Sequence, residues 1–501
     1  MSRRWLMAAI LISVAFIATA IGQAGPAASP GTLRISYPQR VINLDPQGTA
    51  AAERMTIILG RHLFDPLITW DAAAKKFQPA LAERWRSLDP TTWEFQLRRG
   101  VRFHDGSEFT SAAVATSIER TQAIRGPITP LFAAVASVET PDPYRVVIKT
   151  RTPMGTLLSN LTLLHIIPAG TPATTAFGER PIGTGTFKFV EFVRDTRVVL
   201  DANPNYWRRG IPKLQRLIWV DIPELSGRIT ALETGEIDMT VQLTPEEIRR
   251  LKGSQAIKID IGPTFYTRFI WINPTHKPWD DVKVRQALQH ALNIPAITSS
   301  LVAGIAKPAK GPIASNVLCA TDFEPYGYNT TLARRLLAEA GYPRGFDTEL
   351  KWNDALPRER EVADAITGQL ALVGIRVKNT LQPRAIWLDD LLKLNWDLNL
   401  LGTGAVTGDA DYTLGRLYHS RAKRTGYVNP EVDSLLEQAA STVDTKKRCE
   451  MYRRVNEILW TEGPAVFLFE SLESYAYRTR VQGFKLPASE IFDLSDVSVS
   501  P

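Results

Sequence analysis

TELKWNDALPREREVADAITGQLALVGIRVKNTLQPRAIWLDDLLKLNWDLNLLGTGAVTG, residues 348–408, alternates short apolar runs with longer runs of helical period. The runs at 348–352, 375–378 and 396–401 read as strands, and those at 358–373 and 385–394 as helices. A β-α-β-α-β order requires parallel strands joined by crossover helices, because a tight hairpin can join only antiparallel neighbours. Open parallel sheets bind ligands beyond the carboxyl ends of their strands. The glycine-rich segment 402–408 leaves such an end, and glycines let a backbone approach a ligand and offer its amides. Gly402, Thr403, Gly404, Ala405 and Val406, with Asp409 just beyond, are therefore candidate ligand contacts.

Upstream, 265–273 reads as a strand that carries Arg268 and ends at Trp271 and Asn273, three further candidates. In the helix after it Val284, Ala287, Leu288 and Ala291 fall at i, i+3, i+4, i+7, a core stripe. Residues 186–193 and 196–202 alternate around Arg194-Asp195, which predicts an antiparallel hairpin. Residues 93–97 alternate strictly, Arg99-Gly100 and Asp105-Gly106 supply turns, and Thr110 opens a helix through Arg120. Thr244-Pro245-Glu246-Glu247 combines a capping threonine, a first-turn proline and acids at a helix start, with Gly253 as its stop. No internal repeat or long linker separates these blocks, so closely docked α/β domains are expected.

At 501 residues the chain exceeds what one hydrophobic core supports, so two or three domains are expected. Its 44% hydrophobic and 22% charged residues are those of a globular protein. Residues 1–24 read as a cleaved secretory signal: Arg3 and Arg4, an apolar run over 6–21, then small residues. Losing those two arginines takes the net charge from +7 to +5, and the remaining basic residues are scattered, which argues against nucleic acid as a partner. No cysteine lies near the cleavage region, so no lipid anchor is expected and the protein should be free in the periplasm, by the Sec or the twin-arginine route. Cys319 and Cys449 are far apart in sequence; export permits a bond, but two free thiols are the simpler reading.

The search for catalytic chemistry finds no phosphate loop, H-E-x-x-H, G-x-S-x-G or paired C-x-x-C. The glycines of 402–408 have the wrong spacing for a dinucleotide fingerprint, and Asp409 opens no clear helix. His104-Asp105 reads as part of a turn, and Asp409-Ala410-Asp411 as local hydrogen bonding and not a cation site. No catalytic residue, metal or cofactor is assigned.

Several segments, in this order and spacing, resemble the peptide and nickel class of bacterial extracytoplasmic solute-binding proteins that serve ABC importers. They are LAERW at 81–85, WEFQLRRGVRFHDG at 93–106, PIGTGTF at 181–187, NPNYW at 203–207, DVKVRQAL at 281–288 and LLAEAGYP at 336–343. The resemblance implies a two-lobed periplasmic-binding-protein fold, class II and cluster C, with an added α/β insert. Lobe I would comprise 32–60, 182–272 and 474–501, the insert 61–181, and lobe II 273–473. It implies a monomer that closes on a small-molecule or peptide ligand and delivers it to a transmembrane permease with its ATPase. It implies no enzyme. Where peptide-binding relatives place a tryptophan and an aspartate for the ligand's amino group, this chain has Thr403 and Val406; their carboxylate-binding arginine is replaced near Asn353, with Arg358 or Arg360 as the alternatives that could reach inward. Loss of that charge-assisted contact, worth about 1.5–3 kcal/mol, argues against a simple dipeptide. An opine, glycoside or metal chelate, or a sensor role presenting ligand to a receptor, is the alternative.

Overall fold

Two long strands, Ile257–Ile272 and Ala465–Arg478, pair antiparallel and carry the architecture of the computed structural model, which describes residues 31–354 and 357–500. The expected signal segment lies outside the described residues. The pairing register slips between Pro263 and Thr267 and again between Arg268 and Phe269. Such bulges bend a strand and raise its twist, so the pair changes direction midway.

The large sheet extends from this pair in both directions. On one side lie Leu398–Gly404, Asp347–Trp352 and Arg376–Leu381; on the other lie Met239–Val241, Thr32–Ser36, Arg216–Val220, Arg197–Ala202 and Phe187–Val193. The predicted crossover block is present: Asp347–Trp352 pairs in parallel with both Arg376–Leu381 and Leu398–Gly404, with helices Glu359–Ala371 and Arg384–Leu392 between them. The predicted hairpin is Phe187–Val193 against Arg197–Ala202, and Thr244 caps helix Pro245–Leu251 by accepting from the Glu247 N–H at 3.3 Å.

Strand periodicity assigns the cores. Phe269 and Trp271 enter one apolar cluster with Trp396, Tyr418 and Phe467, whereas Ile270 and Ile272 enter another with Leu350, Leu398 and the predicted stripe Val284, Ala287, Leu288 and Ala291. That alternation is what successive side chains on opposite sheet faces require. Beyond the bulge a separate cluster forms around Leu33, Ile35, Leu200 and Leu217. Residues 82–150 build a four-stranded antiparallel sheet against helix Ser111–Ile124, with Trp93, Phe95 and Leu97 pointing into its own core.

Three expectations are corrected. The strand predicted over 396–401 runs through Gly404, so the first glycines belong to the sheet. Ala410–Tyr418 is a helix with Asp409 as its cap, the Asp409 carboxylate accepting from the Asp411 N–H at 3.0 Å. Cys319 and Cys449 form a disulfide, with Cα atoms 4.7 Å apart across 130 residues of sequence, a proximity that only the tertiary fold creates. Among the described residues no helix is long and apolar enough to cross a membrane.

Candidate functional site

Residues 402–408 divide into a strand end and a turn, and the two parts do different things. Gly402 sits opposite Arg268 and Gly404 opposite Tyr266. A methyl on Gly402 would lie 2.7 Å from both the Arg268 Cδ and the Tyr266 ring, so the absent side chain makes room for those two. Thr403 accepts a hydrogen bond from the Arg416 guanidinium at 3.0 Å, and Ala405 is buried with its N–H donating to Phe265 O. Past it the chain turns inward, and Val406 and Thr407 line a cavity.

That cavity encloses about 1000 Å³, open to solvent, and three parts of the molecule wall it. Tyr206, Phe265 and Asp493 come from 182–272 and 474–501, Arg61, Asp65 and Trp70 from 61–80, and Val406 and Thr407 from the turn after Leu398–Gly404. These parts also touch directly: the Ser159 hydroxyl donates to Asp409 at 2.6 Å, Lys75 to Ser315 O at 3.3 Å and the Asn316 amide to Ala488 O at 2.6 Å. Gly408, at φ +70°, brings its backbone against the Trp70 indole, where any β-carbon would meet the ring at 2.5 Å.

The charges in the cavity are unequal. Burial pushes the Asp65 carboxyl up to about 6, although Thr184, Tyr206 and Trp207 all donate to it. Burial also lowers Arg61 from its ordinary value, with Asp493 and Asp65 offsetting this in part. His165, near Arg61, is held down to about 3 by burial and is neutral.

On the other face of the same strand, Thr264, Tyr266 and Arg268 border a second pocket of about 630 Å³. Its charges are paired. Arg54 reaches Glu473 at 3.3 Å, with Tyr37 and Gln242 donating to the same oxygen, and Arg268 contacts Glu359. Burial still raises the Glu473 carboxyl to about 7.

The other sequence candidates have structural partners. Asp409 is buried against Arg448 at 2.8 Å. The Asn273 amide donates to Leu394 O and Trp396 O, which ties down the strand end. Trp271 is core, its indole donating to Tyr418 at 3.2 Å. Asn353 is buried at the end of Asp347–Trp352. His104 is a turn residue, bonded to Gly185 O and to the Gly183 N–H. Sequence reasoning missed Arg61, Asp65 and Trp70; the only signal was a charged pair interrupting the apolar run 57–68.

The mixed α/β architecture, with a large sheet and a smaller separate one, agrees with the fold class that the resemblance implies. The family description "Bacterial extracellular solute-binding proteins, family 5 Middle" matches residues 76–425. The chain belongs to this family. Among family 5 relatives, the glutathione-binding protein GsiB of Pectobacterium atrosepticum is 28% identical over 516 residues, covering 99% of this chain and 98% of that protein. The solved structure of NikA from Brucella suis with Fe(III)-EDTA superposes with a TM-score of 0.84 at 24% identity, over 94% of this chain and 100% of that one. DppA from Helicobacter pylori with the peptide STSA gives 0.80 at 24% identity, over 94% and 98%. These two structures establish the family 5 fold.

Proposed function

We propose that this chain is the exported capture component of an ABC importer, enclosing a peptide or peptide-like solute and presenting it to a transmembrane permease and its ATPase. The observation that carries the reading is the cavity, walled by both halves of the sheet and by the insert. A solute there touches every wall only when the halves are together, so it stabilises the closed form by its differential affinity. In this reading residues 32–60, 182–272 and 474–501 are lobe I, 61–181 the insert and 273–473 lobe II. The bulged strands are the hinge, the protein acts as a periplasmic monomer after loss of residues 1–24, and it performs no catalysis. Relatives named for glutathione binding support a peptide-like ligand.

One observation favours a second ligand class. Val406 lines the cavity where peptide-binding relatives are expected to carry an acid, and Asn353 replaces the expected arginine, so an opine or a metal chelate is the alternative. A thermal-shift screen with glutathione, short peptides, opines and Ni(II)-histidine separates the two. A ligand at 100 times its Kd adds about 2.7 kcal/mol of stability. The reading fails if none stabilises the protein, or if small-angle scattering shows no compaction with a ligand that does.

A further inference from the structure

Arg61 is the one charged side chain of the cavity whose environment asks for something the protein does not supply. It stands in the last turn of helix Arg54–Leu63 and lines the cavity. Among the described residues it makes no hydrogen bond or ion pair. The acids nearest it are otherwise engaged: Asp65 accepts from Thr184, Tyr206 and Trp207, and Asp493 accepts from the Ser495 N–H and hydroxyl. The facing wall, Phe265, Val406 and Thr407, offers no carboxylate. Arg208, exposed at the rim, adds positive charge. Arg61 is half-buried, so water reaches it only in part, and its planar fork of donors matches a carboxylate.

We propose that Arg61 is the anion receptor of this cavity, taking a carboxylate of the bound solute, and that the ligand class is therefore acidic peptides and peptide-like acids. The inference rests on the solute-binding reading above and narrows it. Arg54 and Arg268, which already have Glu473 and Glu359, are not available for this role.

The test compares glutathione with its monoethyl ester, and tripeptides ending in glutamate with the same peptides amidated at both carboxyls, by titration calorimetry on the full chain. Blocking the carboxylates should weaken binding about 10- to 100-fold, the loss of one charge-assisted hydrogen bond. In Arg61→Gln the free and blocked forms should bind alike, whereas Arg61→Lys should keep part of the difference and Arg208→Gln nearly all of it. Free and blocked forms binding the wild-type chain equally would overturn the inference alone and leave the importer reading standing. A full difference surviving in a folded Arg61→Gln would overturn the assignment to Arg61. Silence of every acid and peptide, while a neutral or cationic solute binds, would overturn the inference and the peptide reading together.

Discussion

The two faces of the long strand Ile257–Ile272 meet opposite conditions within four residues. On the face of Tyr266 and Arg268 each guanidinium has its carboxylate, Arg54 with Glu473 and Arg268 with Glu359. On the face of Phe265 the cavity holds Arg61 with neither hydrogen bond nor ion pair among the described residues. Breaking a buried pair costs far more than the pair contributes, so a matched face fixes the joint mechanically. An unmatched charge beside open volume has no such structural return and points to a missing partner. In the proposed reading the same two strands serve as joint on one side and as receptor wall on the other.

The largest expected effect is on the matched face. Glu359→Ala leaves Arg268 buried without its carboxylate and should lower stability by about 3–5 kcal/mol in urea denaturation. Arg61→Gln on the open face should change it by less than about 0.5 kcal/mol. Equal losses at the two sites would erase the distinction between the faces.

Titration sharpens the comparison next. Burial raises the Glu473 carboxyl from 4.5 to about 7, with Arg54 lowering it and Glu490 raising it, while Tyr37 and Gln242 donate to it. A folded-state value above the unfolded one favours the protonated form in the fold. Its contribution is complete below about pH 4.5 and disappears as the pH rises through about 7. Stability should therefore fall by about 3 kcal/mol between about pH 4.5 and 7.5, since each tenfold change in proton affinity between the folded and unfolded chain is worth about 1.4 kcal/mol. Glu473→Gln should flatten this slope. Asp65, raised to about 6, contributes with the same sign over a lower interval, and its part of the slope should survive in that variant.

The disulfide supports both faces through one loop. Cys319 anchors the segment in which Ser315 donates to Glu470 and Leu318 bridges Gly408 and Ala410. Replacing both cysteines by serine should cost about 2–4 kcal/mol in denaturation measurements, the usual range for a bond closing a long loop.

A smaller effect tests closure. Alanine at Gly408 must adopt φ +70° and press on Trp70, at a cost of about 1–2 kcal/mol. In the proposed closure this contact forms as the parts come together, so the loss should appear as weaker ligand affinity and a more open scattering envelope. A purely global destabilisation with unchanged affinity would detach Gly408 from closure.

The sequence by itself determined the parallel block 347–404, the hairpin 187–202, the capped helix at Thr244 and the core stripe from Val284 to Ala291. These are written in local periodicity and capping chemistry, which neighbours in sequence suffice to set. It also raised the expectation that the chain after Leu401 lines a cavity, because a strand's carboxyl end is a topological position. Tertiary structure alone decided which part of 402–408 does so. Gly402 and Gly404 answer to Tyr266 and Arg268, more than 130 residues upstream, so only Val406 and Thr407 remain to line the cavity. The same holds for the helix after Asp409, held by Arg448, for the bond between Cys319 and Cys449, and for the isolation of Arg61. Each depends on which distant groups share its surroundings, and burial and charge balance are properties of that shared space.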